Sequence, residues 1–112
     1  MVGGTINYAA YLRSTVLVDG HRVSVYRGGN DLTLKPNEYK ILKDGTKRGL
    51  STNIDPNQVR QFGGAYRVKR IPSGLKIVQQ GQNLNHYEII PNNVLTQEQF
   101  QLLLNKIIVV LN

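Results

Sequence analysis

Short apolar and β-branched runs recur along this chain, and an amphipathic helical spacing closes it. Residues 15–18 and 21–27 are two β-branched runs separated by Asp19-Gly20. Asp-Gly between such runs predicts a hairpin, because both turn residues must accept positive φ. Gly28-Gly29-Asn30-Asp31 ends the second run. Residues 38–43 read as a strand or a short helical turn, closed by Asp44-Gly45. Asp55 caps a short helix opened by Pro56 and closed at Gly63-Gly64. Three β-like runs follow, over residues 65–71, 75–80 and 85–90, and Pro72-Ser73-Gly74 is expected to turn the first pair. Thr96 and Gln99 form a capping box, with Phe100, Leu103, Leu104 and Ile107 at core-facing helical spacing. Residues 108–111 are either the helix end or a last strand. A short helix is also expected over residues 5–14, with Ile6, Ala9 and Ala10 on one side. No repeat, linker or low-complexity tract interrupts the chain. Residues 1–112 therefore read as one domain of α+β class.

Composition narrows the function classes. Forty per cent hydrophobic content suits a folded domain. No run approaches the roughly 18 apolar residues that span a bilayer, so no membrane partner is expected. No secretory leader is visible at Met1-Val2-Gly3-Gly4, so export would depend on a larger protein or a dedicated machine. With no cysteine, thiolate chemistry and Cys-based zinc sites fall away. His21 and His86 stand in unrelated contexts, and no metal is expected. The net charge of +7 attracts an anionic partner: nucleic acid, a nucleotide or an acidic protein. Acids are unevenly spread. Between Asp55 and Glu98 the sole acid is Glu88, amid Arg60, Arg67, Lys69, Arg70 and Lys76. Such a carboxylate should stay ionised at neutral pH.

Three segments hold candidate chemistry. In Tyr26-Arg27-Gly28-Gly29, the alternation places Arg27 on the same face as Val23 and Val25, at the rim of an apolar surface. There its fork of donors can grip a phosphate, with two glycines admitting a ligand to the backbone, or simply reach out to water. Ser51-Thr52-Asn53 offers two hydroxyls and an amide to a ligand, or a turn. In His86-Tyr87-Glu88-Ile89-Ile90-Pro91, a strand would place His86, Glu88 and Ile90 on one face. Glu88 could stabilise a developing cation there, or form a surface salt bridge to Arg67, Lys69 or Arg70.

In chain order, an arginine at an early strand end, a Ser-Thr on a middle strand and a late strand ending Glu-Ile-Ile-Pro, the three resemble the ADP-ribosyltransferase superfamily. Tyr26-Arg27-Gly28 matches the strand end whose arginine contacts the NAD pyrophosphate. Ser51-Thr52 matches two residues of the Ser-Thr-Ser-like strand, with Asn53 in the third place. Glu88 falls at the catalytic glutamate, and His86 stands where the family has Glu or Gln. The phrase Phe62-Gly63-Gly64-Ala65-Tyr66 and the ending from His86 to Phe100 are similar to C-terminal toxin domains of Rhs-type and contact-dependent-inhibition proteins. The last third is also similar to the necrotizing-toxin NAD glycohydrolases. The resemblance implies a compact split β-sandwich of the ADP-ribosyltransferase type with short flanking helices. It implies cleavage of the nicotinamide–ribose bond of NAD, used as co-substrate. Glu88 would stabilise the ribosyl cation, Ser51 would orient Glu88, and His86 would position an acceptor or bond to Glu88. Arg27 would bind pyrophosphate in a site completed by Tyr26, Gly28 and Thr52, while Phe62 or Tyr66 would stack on nicotinamide. The implied partners are NAD, a protein or RNA acceptor, and an acidic immunity protein. The implied setting is a larger secreted effector acting in the cytoplasm of a target cell.

Two other functions fit the same residues. A metal-independent ribonuclease toxin would use His86 and Glu88, with Lys69 and Arg70 as transition-state clamps. A non-catalytic nucleic-acid binder would use the charge alone, although two Phe and no Trp are few for stacking bases.

Overall fold

The computed structural model describes residues 11, 12 and 14–112. It begins with β1 (Tyr11–Leu12), paired with Ile71 and Pro72. This pairing replaces the last part of the helix expected over residues 5–14, because the open edge of a neighbouring strand overrides local helical spacing. Residues 5–10 and 13 of that expectation lie outside the described residues. The Asp-Gly hairpin forms as the sequence indicates. Asp19 and Gly20 take φ of 50° and 81°, and β2 (Thr15–Val18) pairs with β3 (His21–Ser24).

The second arm of that hairpin does not continue as one strand. It breaks at Val25, which is fully buried and whose carbonyl accepts from the Val68 N–H at 3.0 Å. Beyond the break, β4 (Tyr26–Gly28) leaves the hairpin and joins the main sheet. A small hairpin of β5 (Lys40–Ile41) and β6 (Lys47–Arg48) folds around Asp44-Gly45. β7 (Leu50–Asn53) follows, then two 3-10 turns, Pro56–Gln58 and Arg60–Phe62. Asp55 caps the first by accepting from the Asn57 N–H, and Gly63 ends the second in the left-handed region. The chain closes with β8 (Ala65–Pro72), β9 (Leu75–Gln79), β10 (His86–Pro91), α1 (Gln97–Leu104) and β11 (Ile108–Leu111). Both bonds of the Thr96/Gln99 capping box are present. Ile107 is buried just beyond the helix, and residues 108–111 are a strand.

The main sheet is antiparallel and seven-stranded, in the order β1-β8-β4-β7-β10-β9, with β11 pairing with β8 beyond the stretch that β1 covers. Pro72-Ser73-Gly74 does not close a hairpin. β8 and β9 are consecutive in the chain, yet β4, β7 and β10 lie between them in the sheet. Helix α1 buries Phe100 and Leu104 in a core shared with Val25, Leu50, Val68, Ile71, Leu75 and Ile89. The fold is thus α+β in a mostly antiparallel form, with one short helix among the described residues.

Candidate functional site

The strands bearing the three candidate segments, β4, β7 and β10, are successive neighbours in the sheet. Their pairing is unequal. β10 pairs with β7 over four positions, from His86↔Asn53 to Ile89↔Leu50. β4 and β7 share one register pair, Tyr26↔Asn53, and then part. Where a continued ladder would satisfy the main chain of Ser51, two side chains do so. Arg27 Nη1 donates to the Ser51 carbonyl at 2.9 Å, and the Ser51 N–H donates to Glu38 Oε2 at 3.2 Å. The two side chains also form an ion pair at 3.7 Å. A cleft of about 540 Å³ opens at this split, lined among others by Arg27, Gly28, Lys35, Ser51, Phe62 and His86.

Arg27 is 9% exposed. Its Nε donates to the Asp31 carbonyl at 3.1 Å and its Nη1 to Ser51. Its Nη2 makes no hydrogen bond among the described residues, and no buried side-chain nitrogen or oxygen there lacks a partner. That nitrogen is therefore not fully buried, on a residue that lines the cleft. The two glycines after it serve a different purpose from the one expected. A Cβ on Gly28 would lie 2.9 Å from both Phe62 Cβ and the Val59 carbonyl, and one on Gly29 would lie 2.8 Å from the Phe62 carbonyl. The protein's own 3-10 turns approach them, not a ligand. That approach fixes Phe62 at the cleft wall, where the residue is 64% exposed.

Glu88 is no surface residue. It is 2% exposed, on a strand buried along nearly its whole length between β7 and β9. Five nitrogens surround its carboxylate. Arg48 Nε lies 3.0 and 3.1 Å from the two oxygens, and Arg48 Nη2 lies 2.6 Å from Oε2. The Gly49 N–H donates to Oε1 at 3.0 Å and Gln80 Nε2 to Oε1 at 2.9 Å. His86 Nε2 is 2.7 Å from Oε2, a contact that requires its proton on Nε2. Burial would raise the pKa of Glu88, but Arg48, the Gly49 N–H and His86 together outweigh it and bring it to about 2. The salt bridge expected with Arg67, Lys69 or Arg70 is thus replaced by a buried pair with Arg48, whose own pKa is raised by the hydrogen bond and charge of Glu88.

The nine residues singled out from the sequence divide in two. Arg27, Gly28, Ser51, Thr52, Phe62 and His86 line the cleft. Tyr26, Tyr66 and Glu88 do not, although Glu88 reaches it through His86. Thr52 is 3% exposed and donates its hydroxyl to the Tyr87 carbonyl at 2.9 Å, locking β7 to β10. Ser51 stands directly opposite Glu88 in register, on the same face, while the Glu88 carboxylate is held by the other groups just described. Asn53 anchors the first 3-10 turn, donating to Gln58 and accepting from the Asp55 N–H.

Arg48, Gly49, Gln80 and Glu38 went unnoticed in the sequence. Strand alternation groups Arg48 with Leu50 and Thr52, on the face opposite Ser51 and Glu88. Gly49 breaks that alternation, for it lies between β6 and β7 and belongs to neither. A Cβ there would lie 2.2 Å from the Ile89 carbonyl. Only glycine permits the close approach that brings its N–H and the Arg48 fork onto Glu88. A glycine after an arginine at the start of a strand was the available signal.

No family model, curated protein or solved structure matches this chain. Among the described residues, no group of three His, Asp or Glu could hold a metal ion, and no helix is long and apolar enough to cross a membrane.

Proposed function

We propose that this domain is an NAD-consuming toxin enzyme of the ADP-ribosyltransferase type, breaking the nicotinamide–ribose bond in the cleft between β4 and β7. The observation that carries the reading is the convergence of three separated segments. Arg27, Ser51-Thr52 and His86-Tyr87-Glu88 sit on three successive strands, with Arg27, Ser51, Thr52 and His86 lining the cleft where β4 and β7 part and Glu88 touching His86 behind it. The free Nη2 of Arg27 and the nearby Lys35 suit a pyrophosphate. The exposed ring of Phe62 suits nicotinamide. Nicotinamide leaves with the bonding electron pair, and a nucleophile captures the ribosyl cation and gives up its proton. The nucleophile is water or a group on a protein or RNA acceptor. A carboxylate titrating near 2 is a poor proton acceptor at neutral pH, so Glu88 contributes fixed negative charge and a hydroxyl acceptor rather than general-base chemistry.

The ribonuclease alternative fares worse on geometry. Lys69 and Arg70 lie on β8, three strand spacings from β10, which is roughly 14 Å along the sheet. Neither lines the cleft that holds His86. The deciding experiment incubates the purified domain separately with NAD and with total RNA. Nicotinamide release that is lost in Glu88→Gln supports the proposal. RNA cleavage without nicotinamide release replaces it with the ribonuclease reading. The toxin setting adds an acidic immunity protein as partner and delivery within a larger effector to a target-cell cytoplasm.

A further inference from the structure

The five nitrogens around Glu88 are not equivalent in position. Arg48, Gly49 and Gln80 lie outside the cleft lining, whereas His86 is part of it. Of the residues that hold the carboxylate, one imidazole alone belongs to the cleft lining. Every oxygen lone pair has a donor, so a ligand hydroxyl reaches Glu88 only by replacing one of them. The Gly49 N–H is main chain, fixed by the close packing of Gly49 on Ile89. Gln80 Nε2 is shared with the Lys47 carbonyl at 2.9 Å, which ties it to β6. Arg48 makes a forked contact through two nitrogens, and such a fork holds planar geometry better than a point charge. His86 makes one contact and lines the cleft, whereas Arg48, although its side chain is 35% exposed against 25% for His86, is absent from the lining.

We infer that Arg48 is a positioning residue, holding the Glu88 carboxylate from behind together with Gly49 and Gln80, and that the ribose hydroxyl of the substrate binds Glu88 by displacing His86. The inference rests on the NAD reading above and deepens it. His86 then acts as an internal stand-in for the substrate hydroxyl. It keeps Oε2 paired in the empty site and leaves when the cleft fills. Around Glu88 the charged and titratable groups are Arg48 from β6 and His86 on its own strand. The residues paired with Glu88 on either side, Ser51 of β7 and Val78 of β9, carry no charge.

Nicotinamide release is measured against NAD concentration and pH for wild type, Arg48→Met, Arg48→Lys and His86→Ala, with thermal unfolding of each. Arg48→Met should lower kcat about 100-fold, the scale of a misplaced catalytic group. Its acid limb should rise by about one to three pH units as Glu88 loses its opposite charge. Arg48→Lys keeps the charge and loses the fork, so it should recover part of the rate with its acid limb near that of wild type. It also carries the test if Arg48→Met does not fold. His86→Ala should lower KM several-fold by removing the competitor. Wild-type kcat and acid limb in Arg48→Met, or in Arg48→Lys a rate as low as that of a Glu88→Gln control, overturns the positioning role. A raised KM in His86→Ala overturns the displacement. Absence of nicotinamide release from wild type overturns the NAD reading instead. The ¹³C carboxyl titration of Glu88, read without substrate in wild type and in the charge-removing Arg48→Met, separates the two failures. An unchanged midpoint and line shape on replacing Arg48 counts against positioning whatever the substrate.

Discussion

Glu88 combines the lowest exposure of any carboxylate among the described residues with the most donors around it. Replacing it with glutamine does more than remove a charge. The amide nitrogen of the new side chain must face donors, and Arg48 loses its counter-charge. We expect Glu88→Gln to cost about 1–3 kcal/mol of stability as well as activity. Urea unfolding must therefore accompany every assay of that variant; an unchanged midpoint would show that the network contributes little. The same residue sets an acid dependence. Its folded pKa of about 2 lies below the ordinary value of 4.5. Folding thus gains stability that is complete above pH 4.5 and disappears as pH falls toward 2, by about 3 kcal/mol in all. Urea unfolding of wild type between these pH values should show the loss, and Glu88→Gln should show a flatter profile. Arg27 differs, since part of its donor set is spent on carbonyls. Arg27→Ala should weaken NAD binding about tenfold or more, whereas Lys69→Ala, at an exposed site, should change it little. Calorimetric titration of both separates a defined anion clamp from a diffuse basic surface, for which the two losses would be equal.

At the scale of elements, the site exists because strands stop early. Had β4 and β7 paired along their whole length, the Ser51 main chain would close the cleft. Residues 31–39 hold the split open from the other side, and helix α1 holds them. Gln101 accepts from the Leu34 N–H at 2.8 Å and donates to the Leu32 carbonyl at 3.1 Å. Tyr39 donates to the Leu95 carbonyl at 2.6 Å and packs edge-on against Phe100 at 4.8 Å. Gln101 itself is absent from the cleft lining. Gln101→Ala should therefore speed amide hydrogen exchange at Leu34 and weaken NAD binding without any lost contact to ligand, at about 1–2 kcal/mol of stability. Unaltered exchange at Leu34 would mean that the segment is held by other groups.

For the whole molecule the decisive quantity is charge. The 112 residues carry a net charge of +7, and the cleft wall holds Arg27, Lys35 and His86 beside the single acid Asp31. Such a field draws an anionic substrate and equally an acidic protein. If the domain is the toxin proposed above, its acidic inhibitor should bind over the cleft, compete with NAD, and associate more slowly as salt rises. Stopped-flow association across a salt series checks the steering, and NAD titration of the complex checks the occlusion. A rate indifferent to salt would remove the first, and NAD binding to the intact complex would remove the second.

Local chemistry determined much of this protein without help from the fold. Asp19-Gly20, the Asp55-Pro56 cap and the Thr96/Gln99 box each act within a few residues, so their turns and helix starts stand where the sequence places them. The isolation of Glu88 between Asp55 and Glu98 singled it out in the sequence, although its partner Arg48 lies outside that stretch. What lay beyond the sequence depends on pairing between distant strands. Alternation within one run places a side chain on a face, but it cannot say which strand lies beside it or where a ladder ends. Pro72-Ser73-Gly74 has the residues of a turn, yet β8 and β9 stand four places apart in the strand order, because β10 prefers β7 and β9 while β8 takes β1, β4 and β11. Arg48 was hidden by one glycine. The clearance of 2.2 Å between a Cβ at position 49 and the Ile89 carbonyl is a tertiary distance, and it decides that the carboxylate of Glu88 is met by an arginine 40 residues away.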